Sequence, residues 1–210
     1  MKVIDISIPI SPNIPIWPKT PKPKFSMISS IKDGDSANDT KIEMSVHTGT
    51  HIEVSSHFLT KGKLINQIDP NVFIGQVLVV YLPEVKKITS QNIEELKIPK
   101  KISRLLFKTS NSSLWKKNVK LFKKNYVGLT VDAAETLTKK GLKLVGIDYL
   151  SIANFYETVT VHQVLMKKEV VILEGLDLSK VKPGVYQLMA MPVLMIGTEA
   201  SPVRAVLVKK

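Results

Sequence analysis

Along most of the chain, apolar residues fall at strand spacing or in short continuous runs rather than at helix spacing. Residues 3–10 (VIDISIPI) alternate apolar and polar, as a half-buried strand does. The stretches 74–82 (IGQVLVVYL), 104–110 (RLLFKTS), 142–148 (LKLVGID) and 169–176 (EVVILEGL) are rich in Val, Ile and Leu. Runs of that kind suit strands covered on both faces. Two more strands are expected in VYQLMAMPVLMIG and PVRAVLVK near the C-terminus. Helical signals are fewer. Thr89 or Ser90 can cap a short helix ending near Leu96, with Pro99 beyond it. Thr130 can cap a helix over VDAAETLTKK that gathers Ala133, Ala134 and Leu137 and stops at Gly141. HQVLMKK (162–168) supplies a further turn or two. This order of elements predicts one α/β domain over residues 1–210, richer in strand than in helix.

Two regions depart from the strand pattern. Pro9, Pro12, Pro15, Pro18 and Pro21 recur every three residues, with Pro23 close behind. Period three matches a polyproline II helix, so residues 1–24 are expected as an extended segment lying over the domain, with Ile14, Ile16 and Trp17 packed down. Residues 31–40 (IKDGDSANDT) form a polar loop, and KIEMSVHTGTHIEVSSHF after it reads as extended chain.

Composition narrows the chemistry. An apolar share of 44% is enough for a core and excludes general disorder. The absence of cysteine removes disulfides, thiolate zinc sites, iron–sulfur clusters and cysteine nucleophiles. The net charge of +12 comes mostly from dispersed lysines, Arg104 and Arg204 being the two arginines. A solvated surface accounts for this better than a nucleic-acid groove, which leans on the guanidinium fork. No apolar run reaches about 18 residues, the length of a membrane-spanning helix. The opening MKVIDISIPISP is broken by Asp5, Pro9 and Pro12 and makes a poor secretory signal. A cytoplasmic protein without membrane or nucleic-acid partners is expected.

Three of the four histidines fall within eleven residues, at His47, His51 and His57, with Glu53 among them. All four positions are odd, so an extended backbone would send these side chains to one face. Thr48, Thr50, Ile52 and Val54 are β-branched and favour extension. Three imidazoles and a carboxylate on one face suit a borderline ion such as zinc or manganese. This is not the helical metalloprotease pair, which carries Glu directly after its first His; here that residue is Thr48.

The segment from His47 to Phe58 (HTGTHIEVSSHF) resembles the signature His-x-Gly-Thr-His-x-Asp-x-Pro-x-His-Phe of the cyclase-like metal-dependent hydrolases. That family includes bacterial kynurenine formamidase and isatin hydrolase. IDISIPISPNIPIWP, LLFKTSNSSLW, GLTVDAAETLTKKGLKLVGIDYLSI, HQVLMKKEVVILEGL and PGVYQLMAMPVLMIGTEASPVRAVL also match the family in order. The resemblance implies a single α/β domain with a twisted, barrel-like, mainly β core and flanking helices. It implies that His47, His51, Glu53, His162 and Glu174 hold one or two divalent ions, zinc first and manganese second. His57 would stand beside the substrate as general acid/base, or serve as a further ligand. Trp17, Asp148 and Ser151 would lie on the substrate side, Asp148 and Ser151 more as residues that shape or brace the site than as direct contacts.

The implied activity is hydrolysis of a small aryl-formamide or cyclic amide, a C–N bond other than a peptide bond, by a homodimer or homotetramer. The alternative is a relative with little activity that binds a small ligand or a protein. Glu53 in place of Asp and Ser55 in place of Pro are the departures that keep this alternative open.

Overall fold

The computed structural model describes residues 1–117 and 119–209. In chain order the strands and helices begin with β1 (Lys2–Asp5), β2 (Lys24–Ser29), β3 (Asp39–Glu43) and β4 (His51–Glu53). Then come β5 (Ile74–Leu82), α1 (Ser90–Glu94), β6 (Arg104–Thr109), α2 (Ser112–Lys116), α3 (Val131–Thr138) and β7 (Leu144–Ile147). The chain closes with α4 (Thr158–Met166), β8 (Val171–Glu174), β9 (Gly184–Met189), β10 (Ala200–Pro202) and β11 (Val206–Lys209).

The continuous apolar runs are the centre of a mixed sheet ordered β1-β11-β9-β5-β6-β7-β8-β4-β10. Strands β5, β6, β7 and β8 run parallel, and parallel neighbours need crossovers, usually helical. Helix α1 lies between β5 and β6, α2 and α3 between β6 and β7, and α4 between β7 and β8. Both faces of these strands are therefore covered. Leu105, Phe107, Val145, Ile147 and Ile172 pack towards Ala133, Ala134, Leu137, Val161 and Leu165 of the helices. The alternate residues Leu106, Leu144 and Leu173 face the other way and meet Ile52, Val77, Val79, Leu188 and Leu207. That second core draws on strands from across the sheet, so the sheet curls strongly around it. The result is a single-domain α/β fold with a mainly β half-barrel, as the resemblance implied.

The proline-rich segment is not extended throughout: turns close it where the Ile14 N–H reaches the Ser11 carbonyl and the Thr20 N–H the Trp17 carbonyl, with Lys19 at φ +72°. Ile8 and Ile14 are buried beside Tyr126, Tyr149 and Leu150, with Ile16 and Trp17 partly buried against them. The strand expected over 3–10 ends sooner, at Asp5, because the chain then crosses the sheet edge and Ser7 bridges to Leu176. Residues 31–40 are a loop only in part. Asp35 and Asn38 side chains accept from the Ser30 and Ile31 backbone N–H groups, closing a turn that returns the chain as β3. Strands β2 and β3 pair only with each other. Helix α4 starts four residues before His162, and the strand expected in VYQLMAMPVLMIG stops at Met189, ahead of Pro192.

Candidate metal centre

Strand β4 lies between β8 and β10. Its antiparallel register with β8 sets His51 opposite Glu174 and Glu53 opposite Ile172. Directly opposed residues project to the same face. Ile52 points into the curled core, so His51, Glu53 and Glu174 face the helix side. There His162, buried in α4, meets them.

The odd-numbered spacing brings the right residues together for a reason only partly right. Of the four, only His51 and Glu53 lie on a strand. His47 sits in a turn, and His57 ends a 3-10 turn over Ser55–His57. The turn is made by Gly49, at φ +74°. It also needs Gly175 at the end of β8, where a Cβ would come within 2.2 Å of the Gly49 carbonyl oxygen. Thr50 Oγ1 donates to the Gly175 carbonyl at 2.5 Å and accepts from the Ile8 N–H at 2.9 Å. Thr-Gly-Thr thus locks the histidine turn onto β8 and the N-terminal segment.

The imidazoles converge on Glu53. His47 Nδ1 is 2.8 Å and His51 Nε2 3.3 Å from Glu53 Oε1. His162 Nε2 is 3.2 Å from Glu174 Oε1 and 3.4 Å from Glu53 Oε2, and His57 Nε2 is 3.7 Å from Glu53 Oε1. The outward nitrogens are also engaged. His51 Nδ1–H donates to the Gly49 carbonyl at 3.0 Å and His162 Nδ1–H to the Thr158 carbonyl at 2.6 Å. Anchoring Nδ1 in this way leaves Nε2 facing inward, the usual arrangement of a ligating histidine.

Glu53 Oε2 is buried and makes no hydrogen bond. A buried carboxylate oxygen is seldom left so, and this one points among nitrogen and oxygen donors that could share an ion. The sets His47–His51–Glu53 and Glu53–His162–Glu174 each hold their donor atoms within 4.8 Å of one another. The residues present therefore fit a divalent metal.

The titration of these groups reflects their crowding. Burial opposes ionisation of Glu53, but the close imidazoles of His162, His47 and His51 outweigh it and hold the carboxyl well below its usual range. Burial and then the charge of Glu53 raise Glu174. Burial works against the charged form of His162, yet the neighbouring carboxylates of Glu174 and Glu53 push it up to about 10. At His47 burial is likewise overcome, by Glu53 and then Glu199, and the group is raised. At His57 burial prevails and brings it down to about 4.

These side chains floor a cavity of about 240 Å³, walled by Trp17, Thr20, Ser45, Phe58, Leu150, Ser151 and Thr158. Trp17 and Ser151 are thus brought to the cavity, and Asp148 is not. Its buried carboxylate accepts from the N–H and hydroxyl of both Thr109 and Ser112 at 2.6–3.0 Å. It ties β6 and the start of α2 to the end of β7, a brace rather than a substrate contact. Glu199 was not legible from the sequence. Its Oε1 lies 3.1 Å from His47 Nε2, across 152 residues of chain. The pairing of Ala200 with Glu53, and the bond from the Val54 N–H to the Glu199 carbonyl, bring it there.

The chain is similar to known proteins over most of its length. The profile of the family described as "Putative cyclase" matches residues 4–154. Cyclase-like protein 3 of Oryza sativa subsp. japonica is 38% identical over 190 residues, covering 86% of this chain and 69% of the relative. Kynurenine formamidase of Bacillus cereus is 32% identical over 205 residues, covering 97% and 96%. A solved structure described as a potential metal-dependent hydrolase with cyclase activity superposes with a TM-score of 0.86 at 33% identity, covering 98% and 96%. With the match spanning both the histidine turn and the core strands, the chain belongs to this cyclase family.

Proposed function

We propose that this protein is a metal-dependent hydrolase of a small amide, of the aryl-formamide or cyclic-amide kind. His47, His51, Glu53, His162 and Glu174 would hold one or two divalent ions, zinc first and manganese second. An ion in such a donor set supplies Lewis acidity towards water and a carbonyl oxygen. His57 supplies the proton chemistry. Held near 4 by burial, its imidazole is neutral at pH 7 and accepts a proton from the attacking water. The water oxygen bonds to the carbonyl carbon, the C–N bond breaks, and His57 returns the proton to the leaving nitrogen. Trp17, Phe58 and Leu150 offer apolar walls for a planar ring and limit water around the reacting carbonyl.

The observation that carries this reading is the orphaned Glu53 Oε2, buried among imidazole nitrogens. The relatives named kynurenine formamidase support the amide substrate. The test is hydrolysis of N-formyl aryl amines and cyclic aryl amides by chelator-stripped protein, before and after zinc or manganese is restored. Activity that returns with the ion supports the reading, and activity indifferent to chelation and reloading overturns it. One observation favours a weakly active, ligand-binding relative: Glu53 stands where the family signature has Asp. Glu53→Asp then creates hydrolysis the parent lacks.

We further propose that the chain works as a homodimer or homotetramer. Two-stranded ribbons are marginal alone, yet β2 and β3 pair only with each other and expose Phe25, Met27 and Ile42. Light scattering on the purified protein reads the mass, and a monomer at working concentration refutes this.

A further inference from the structure

The ligand histidines differ in how their outer nitrogens are held. His51 and His162 each anchor Nδ1–H on a backbone carbonyl, of Gly49 and Thr158, and turn Nε2 inward. His47 is reversed. Its Nδ1 faces Glu53, and its Nε2 meets the carboxylate of Glu199.

We infer that Glu199 is the positioning residue of the metal centre: by accepting Nε2–H it fixes the His47 ring so that Nδ1 is offered beside Glu53. This inference rests on the metal reading proposed above. His47 needs such a partner more than the others do. It lies on a turn, and its side chain is 19% exposed against 2% for His51 and His162. Glu199 can serve because its backbone is pinned. Its carbonyl accepts from the Val54 N–H at 3.0 Å, the Thr198 carbonyl accepts from the Ile65 N–H at 3.0 Å, and Ala200 pairs with Glu53. None of these contacts uses the Glu199 side chain, so the carboxylate can be changed without cutting the strand. A carboxylate on the outer nitrogen of a ligating imidazole sets its tautomer and raises its basicity, and losing such a partner typically costs 10–100-fold in metal affinity.

A competing role exists. Glu199, His47 and His57 also bring donor atoms within 4.8 Å of one another, which would make Glu199 a ligand of its own ion. Zinc titration of the metal-free full chain against a chromophoric chelator, with cobalt(II) absorption as a second readout, separates the two. Glu199→Gln keeps the shape and one acceptor oxygen, and Glu199→Ala removes both; circular dichroism checks that each is folded. A positioning role predicts unchanged zinc stoichiometry and affinity weakened about tenfold or more in Glu199→Ala. It also predicts a smaller loss in Glu199→Gln, and a shifted cobalt band in both. Unchanged affinity and spectrum overturn it, as does loss of one whole ion per chain with the remainder bound as before. Parent protein that takes up no zinc removes the metal reading itself, a result distinct from a parent that binds zinc and variants that match it.

Discussion

The candidate metal centre has two halves built in different ways. His51, Glu53, Glu174 and His162 stand on β4, β8 and α4, fully buried, with positions set by strand register and helix packing. His47, His57 and Glu199 stand on a turn, a 3-10 turn and the residue before β10, and all three are partly exposed. Regular elements cannot shift one side chain without shifting their neighbours, so the first half is preformed. The second half can relax around whatever occupies the cavity, which suits groups that must move a proton or admit a substrate.

The contrast is tested most severely by removing one group from each half. His162→Ala, which empties a position that faces both Glu53 and Glu174, is expected to lower bound metal more than any single change in the exposed half. His47→Ala should weaken uptake without abolishing it, because His51, Glu53, His162 and Glu174 remain. Metal analysis after gel filtration distinguishes them, and equal losses would erase the difference between the halves. His57→Ala should lower kcat by about 10²–10⁴-fold while metal content stays that of the parent. A parallel loss of metal would instead make His57 a ligand.

Asp148 sharpens the boundary of the preformed half. Replacing it by Ala strands the buried N–H groups of Thr109 and Ser112 and should cost about 3 kcal/mol of stability. Denaturant unfolding measures this, and zinc affinity at a temperature where the variant is folded should be that of the parent. The last contrast is in pH dependence. In the metal-free chain His162 keeps its proton up to about pH 10, whereas an unfolded histidine releases it near 6.5. The folded chain therefore binds more protons across that window, and its stability falls as pH rises through it. His47 adds to the same trend. Metal ligation requires neutral imidazoles, so the loaded chain should lack this fall. Thermal unfolding at several pH values, with and without chelator, compares the two.

The same division decides what could be read from the sequence. The parallel strands were legible because both faces of β6, β7 and β8 are covered, so Leu105, Leu106 and Phe107 are apolar without alternation. Helix α3 was legible from Ala133, Ala134 and Leu137, but Thr130 at its start donates its hydroxyl to the Ile88 carbonyl instead of capping, and the helix ends at Thr138, short of Gly141. The ribbon was not: β2 and β3 are exposed on both faces, so no buried periodicity marks them. In the site, odd spacing correctly joined His51 to Glu53 but could not foresee Gly49 turning the chain before them. Asp148 sits beside cavity-lining residues in sequence, and only its hydrogen bonds to Thr109 and Ser112 show it facing away. Glu199 carries no local signal, because its partner lies across the β4–β10 pair.

The proposed function turns on an ion that Glu53 would hold. Anomalous diffraction from crystals soaked in zinc locates it directly. Metal ligation predicts a peak about 2.0–2.2 Å from a Glu53 carboxylate oxygen and within bonding distance of His51 or His162 Nε2. No peak there, or a peak held only by surface residues, would contradict it.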